Sequence, residues 1–106
     1  MPAVPENQLP RLSAKERTIL DLLTSKGELY GLQLVAESRG RLKRGTVYVT
    51  LGRMQQKGLI EADAEKLSDD SGLVPRRMYR ATPFGLRVLR VWAHAAKMLA
   101  LGEEGA

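Results

Sequence analysis

Six cations crowd the stretch from Ser38 to Ile60: Arg39, Arg41, Lys43, Arg44, Arg53 and Lys57, with no acidic residue among them. Ammonium and guanidinium groups at this density need a counter-charge, and a phosphate backbone supplies one. The second half of the stretch has helical spacing. At about 100° per residue, Val47, Leu51 and Met54 fall on one side, while Thr46, Thr50, Arg53 and Lys57 fall on another with Val49 at their edge. One side can pack; the other presents hydroxyls, methyl groups and cations. Threonine methyls and valine can meet a thymine methyl, and arginine can pair with O6 and N7 of guanine. Thr46, Val49, Thr50 and Arg53 are therefore candidate base-edge contacts, against the plainer reading of a solvated helix face. Arg41, Lys43 and Arg44 come just before the helix, whose N-terminal amides also favour phosphate. They are candidate phosphate contacts, against the plainer reading of a solubilising charge run, and Lys57 on the outer face of the helix is a further candidate DNA contact. Tyr48 is expected to be mixed, with its ring partly packed and its hydroxyl towards phosphate.

Catalytic chemistry has no comparable cluster. There is no nucleophile–base pair, no carboxylate pair on one face and no Gly-rich phosphate loop, so no enzyme is expected. His94 is the only histidine and no carboxylate flanks it on its helix, so no metal site is expected. The absence of cysteine excludes disulfides and thiolate ligands and fits a reducing compartment. No cofactor is implied.

The elements that must position these residues follow from local signals. Ser13 and Glu16 form a Ser-x-x-Glu capping box, and Ile19, Leu20, Leu22 and Leu23 recur behind it up to Gly27. This predicts a helix over 14–25. Gly31 to Ser38 reads as a short second helix ended by Gly40, and Thr46 to Lys57 as a third ended by Gly58. Gly31 is expected to permit close packing, and Tyr30 to cover the junction of the first two helices. After Gly58 the period changes to two. Leu59 to Lys66 and Arg76 to Thr82 read as strands, joined by a turn-forming run that includes Ser68, Asp69, Asp70, Ser71 and Gly72. Tyr79 and Ala81 should face inward on this hairpin. Arg76 and Arg77, nearest its tip, are candidate backbone contacts, while Arg80 suits a structural role equally well. Thr82-Pro83 reads as the cap of a last helix over 83–101.

That last helix carries Arg87, Arg90, His94 and Lys97 on one narrow stripe and is otherwise mostly apolar. A surface helix needs only about 100° of apolar arc, and this one has roughly twice that. In one small domain the excess has nothing to cover, so a second copy of the chain is the economical partner. Leu86, Leu89, Trp92, Ala93, Ala96 and Leu99 are the candidate dimer interface. Trp92 is also a candidate for stacking a planar ligand.

The 106 residues suffice for one domain, and 43% hydrophobic content allows a packed core. Seventeen Lys and Arg against 12 Asp and Glu give a formal +5, which favours polyanionic partners without separating nucleic acid from an anionic membrane. No apolar run approaches the ~20 residues of a membrane span. Met1 to Pro10 holds three prolines and no apolar signal core. The expectation is a cytoplasmic protein with a flexible arm over 1–12, a DNA-binding unit over 13–82, a dimerisation helix over 83–101 and a tail over 102–106.

The ordered set of motifs is more specific than any one of them. Leu29-Tyr30-Gly31 opens the second helix; Gly45-Thr46-Val47-Tyr48 opens the third, which runs through Arg53-Met54 to Gly58-Leu59-Ile60-Glu61. Pro75-Arg76-Arg77-Met78-Tyr79-Arg80 leads to Thr82-Pro83-x-Gly85. Across residues 15–92 this resembles the PadR family of bacterial transcriptional regulators. The resemblance implies a mostly α fold with a small β-hairpin: a winged helix-turn-helix domain plus a C-terminal dimerisation helix. It also implies a homodimeric repressor on a palindromic operator, with the third helix in the major groove of double-stranded DNA and the hairpin wing on the backbone or minor groove. Some members of that family release DNA on binding small aromatic or hydrophobic molecules, so such an effector is a candidate partner. Two positions depart from the pattern: Val49 stands where the family usually has proline, and Ala96 lies near its usual aromatic residue. A winged-helix module that grips a protein is the alternative function.

Overall fold

The reciprocal cap forms as its residues require. The Ser13 amide donates to Glu16 Oε1 at 2.9 Å, and the Glu16 amide donates to Ser13 Oγ at 3.2 Å. Helix α1 (Ala14–Lys26) starts there, buries Ile19, Leu20 and Leu23, and stops at Gly27 with φ 84°. The computed structural model describes residues 9–63, 66–67 and 75–104. Strand β1 (Leu29–Tyr30), helix α2 (Gly31–Glu37) and helix α3 (Val47–Gln56) follow. The short β1 was not expected: two residues show no period, and the strand exists because a later one pairs with it.

The turn between α2 and α3 is built around two buried residues. Ser38 Oγ accepts the Leu42 amide at 2.9 Å and donates to the Val35 carbonyl at 2.8 Å. Leu42 is itself in the core. The chain reverses at Arg39 and Gly40, both at positive φ. Helix α3 ends in a Schellman motif, with Gly58 donating to the Gln55 carbonyl at 3.0 Å and Leu59 to that of Met54 at 2.9 Å.

The expected hairpin is present but broken into shorter pieces. These are β2 (Ile60–Ala62), β3 (Lys66–Leu67), β4 (Pro75–Arg76) and β5 (Met78–Ala81). Strand β5 lies between β1 and β2, antiparallel to both, with Leu29 opposite Tyr79 and Glu61 opposite Arg80. β3 and β4 form a separate two-stranded piece. After β2 the Asp63 amide still donates to the Met78 carbonyl at 3.0 Å, and the Asp63 carboxylate accepts from Arg80. Asp69 and Asp70 lie outside the described residues. Tyr79 is buried and Ala81 packs against the core, as the alternation predicts.

Helix α4 (Pro83–Glu104) opens on Thr82, whose hydroxyl accepts the Gly85 amide at 3.0 Å. Its third residue has to be glycine, because a Cβ on Gly85 would come 2.0 Å from the Leu59 carbonyl oxygen. The helix thus lies directly on the backbone that follows α3. Together α1, α2, α3, the sheet and α4 enclose one core, in which Ile19, Leu20, Leu34, Val47, Leu51, Met54, Leu59 and Val88 are fully buried. This is the mostly helical winged helix-turn-helix plan.

Two expectations need correction here. The arm over 1–12 is docked in its last part: Leu9 is buried, Leu12 packs against the core and the Pro10 carbonyl accepts the Trp92 indole N–H at 2.8 Å. Leu89 belongs to the chain's own core rather than to an outward face.

Candidate nucleic-acid interface

Helix α3 separates its two sides as its period requires. Val47, Leu51 and Met54 are buried against α1, α2 and β2. Thr46, Val49 and Arg53 are exposed on the other side, with Thr50 half-exposed beside them. Val49 is 57% exposed, a position where an apolar side chain gains nothing from water. Thr46 is the N-cap residue, but its side chain makes no capping bond. The Thr50 hydroxyl is turned back to the Thr46 carbonyl at 3.3 Å, which leaves its methyl group as the free feature. Arg41, Lys43 and Arg44 are all exposed in the turn before α3. Leu42 between them points inward and fixes the segment, an anchor that the sequence reading missed because one leucine in a basic run has no periodicity.

Tyr48 is half-exposed at 52% and its ring leans over Gly31 at the start of α2.

Lys57 lines the same groove as Thr46, Val49, Thr50 and Arg53. Its ammonium is paired there, 2.8 Å from Glu16 Oε2, and bridges the end of α3 to the start of α1. Glu16 is buried at 5% exposure. Burial pushes its carboxyl up, yet the Lys57 ammonium and the Ser13 amide and hydroxyl outweigh that and hold it below the usual carboxylate range. The sequence marked Glu16 as a cap; a partner 41 residues away leaves no local signal.

On the hairpin, Arg80 is structural. It donates to Asp63 at 2.7 Å, Glu61 at 2.9 Å and Glu28 at 3.3 Å. The hydrogen bonds it donates to Asp63 and then Glu61 push its already high pKa further up. One guanidinium thereby ties the residue before β1 to β2, β5 and the start of the wing. Arg77 is half-buried, and the Arg76 side chain lies outside the described part.

On α4, Ala93, Ala96 and Leu99 are exposed and Leu86 is half-buried. Trp92 is half-buried, with its indole N–H held by the Pro10 carbonyl. With Arg11, Leu12, Arg17, Ala95, Ala96 and Leu99 it lines a pocket of about 350 Å³. His94 is exposed. Among the described residues no group of acidic or histidine side chains is placed to hold a metal, and no helix is long and apolar enough to cross a membrane.

Comparison with solved structures places this arrangement among known regulators. The chain is similar to a PadR family transcriptional regulator from Eggerthella lenta, at 27% identity and TM-score 0.67 over 84% of this chain and 77% of that one. It is similar to a PadR family regulator from a hypervirulent Clostridium difficile, at 26% identity and TM-score 0.71 over 88% and 97%. A ZitR mutant from Lactococcus lactis in complex with DNA shares the fold at 17% identity and TM-score 0.61, over 96% of this chain and 64% of that one. No curated protein gives a significant match. The model of the transcriptional regulator PadR-like family matches residues 19–91, and the chain belongs to that family.

Proposed function

We propose that the protein is a transcriptional repressor that binds an inverted-repeat operator as a homodimer and responds to a small aromatic or hydrophobic effector. The observation that carries the reading is the outer face of α3, where Thr46, Val49, Thr50 and Arg53 stand clear of the core in a stretch without an acid from Ser38 to Ile60. This face enters the major groove, with Val49 and the threonine methyls against thymine and Arg53 against guanine. Arg41, Lys43 and Arg44 hold the neighbouring phosphates. The ZitR mutant of like fold, solved with DNA, supports the assignment.

The dimer is supported by α4, on which Met98 and Leu99 are 55% and 70% exposed beside Ala95 and Ala96. Two copies joined there carry their α3 helices to half-sites about one turn of DNA apart. The effector is supported by the Trp92 pocket, whose lining is mostly apolar and includes Arg11 and Arg17. Repression follows from the occupied operator blocking polymerase.

The test is a shift assay with purified protein on the DNA upstream of its own gene, with random competitor at two salt concentrations. A salt-sensitive shift that survives competitor is the expected result. Failure there, and failure to enrich any sequence from a random DNA pool, would sink the reading in favour of a protein-binding module.

A further inference from the structure

Glu16 is in an unusual place for a carboxylate. It is buried at the start of α1, yet it borders the groove that Thr46, Val49, Thr50, Arg53 and its own partner Lys57 line. A negative charge there repels phosphate approaching the same groove. The cap does not require that charge. Glu16 Oε1 accepts the Ser13 amide, and a glutamine accepts it equally well. Oε2 is spent on Lys57 at 2.8 Å, a residue that belongs to the C-terminal end of α3. Lys57 follows Arg53 by one turn, and its amide donates to the Arg53 carbonyl at 3.0 Å.

We infer that Glu16 is a positioning residue for DNA recognition: it withdraws Lys57 from the phosphate contacts and pins the end of α3 to α1, fixing the angle at which Arg53 is presented. The inference rests on the DNA-binding reading above. The ion pair exchanges one unit of nonspecific attraction for a fixed recognition helix. It also neutralises the carboxylate, so that the groove stays open to a polyanion.

Three variants separate this from simple stabilisation. Glu16→Gln keeps the cap and frees Lys57. Affinity for random DNA at low salt should rise, while the ratio of operator to random binding falls. The affinity lost between 50 and 200 mM salt should grow by roughly three- to fourfold per subunit, the increment for one added phosphate contact. Lys57→Met leaves Glu16 charged and alone, and should weaken binding to both DNAs. Combining the two should restore random-DNA affinity but not discrimination. Hydrogen exchange on the DNA-free protein adds an independent readout, in which Glu16→Gln speeds exchange at the amides of Lys57, Gly58 and Leu59. Glu16→Gln with unchanged salt dependence and unchanged operator-to-random ratio overturns the inference. If the wild type binds no DNA at all, the functional reading fails by itself, and unchanged exchange in Glu16→Gln then overturns the pinning as well.

Discussion

The ring of Tyr48 fills the space beside Gly31, where a Cβ would lie 2.6 Å from its Cε1 and 2.7 Å from its hydroxyl oxygen. A glycine on α2 thus decides where an aromatic side chain of α3 can rest. The obstructing atoms are the far end of a side chain that is half in solvent, so it can swing away. Gly31→Ala should therefore leave the melting temperature within about 4 °C of wild type, equivalent to roughly 1 kcal/mol. DNA affinity should fall as it does in Tyr48→Ala. Unchanged affinity in the shift assay would show that the resting place of Tyr48 is irrelevant to binding.

Gly85 presents the opposite case. Its obstruction is the Leu59 carbonyl, 2.0 Å from a Cβ, and backbone cannot swing away. Gly85→Ala should cost about 2–3 kcal/mol or prevent folding. Urea unfolding measures it, and a cost below about 1 kcal/mol would mean that α4 can slide along the sheet.

Arg53 is exposed on the outer face of α3. If it reads guanine, Arg53→Ala should cost about 1–3 kcal/mol on the operator and much less on random DNA. Titrating both DNAs at one salt concentration decides the point. Equal losses would reduce Arg53 to a phosphate contact.

Glu16 links stability to pH. Burial raises its carboxyl pKa, but Lys57 and Ser13 lower it by more, so the folded value is below the ordinary one. A depressed carboxylate contributes stability above its unfolded pKa, and that contribution is lost as pH falls through the folded value. The stability of wild type minus that of Glu16→Gln should hold steady from pH 7 to 6 and shrink below about pH 4. Urea melts across that range would refute this if the difference grew on acidification.

Leu99 is 70% exposed on the apolar side of α4. Leu99→Glu should leave the melting of the helical signal nearly unchanged in dilute solution and halve the mass seen in sedimentation equilibrium. A wild type that sediments as a monomer, or a variant that remains a dimer, would remove α4 as the dimerisation surface.

The sequence announced whatever had a local signature. The Ser13–Glu16 box, the glycine stops at Gly27 and Gly58, the Thr82 cap and the two-sided α3 all arise from neighbours within one or two turns, and each element appears within a few residues of its expected bounds. What escaped was set by contacts between distant residues. Lys57 resembles any exposed cation until α1 brings Glu16 to it, and Leu89 resembles Ala93 on a helical wheel until the folded core buries it. Trp92 gave no sign that a carbonyl from the arm would take its N–H. The Arg80 cluster gathers Glu28 and the Glu61–Asp63 pair from segments far apart in the chain, so spacing carries no trace of it.

Leu59 is a residue at which α3 and α4 meet directly. Its amide closes the last turn of α3 on the Met54 carbonyl, its own carbonyl takes the Thr82 amide, and that same oxygen rests against Gly85 of α4. No side chain and no gap intervenes. The helix with the uncovered apolar side and the helix that carries Arg53 therefore share a rigid pivot one peptide unit thick. A tilt imposed on one has no play in which to dissipate before it turns the other.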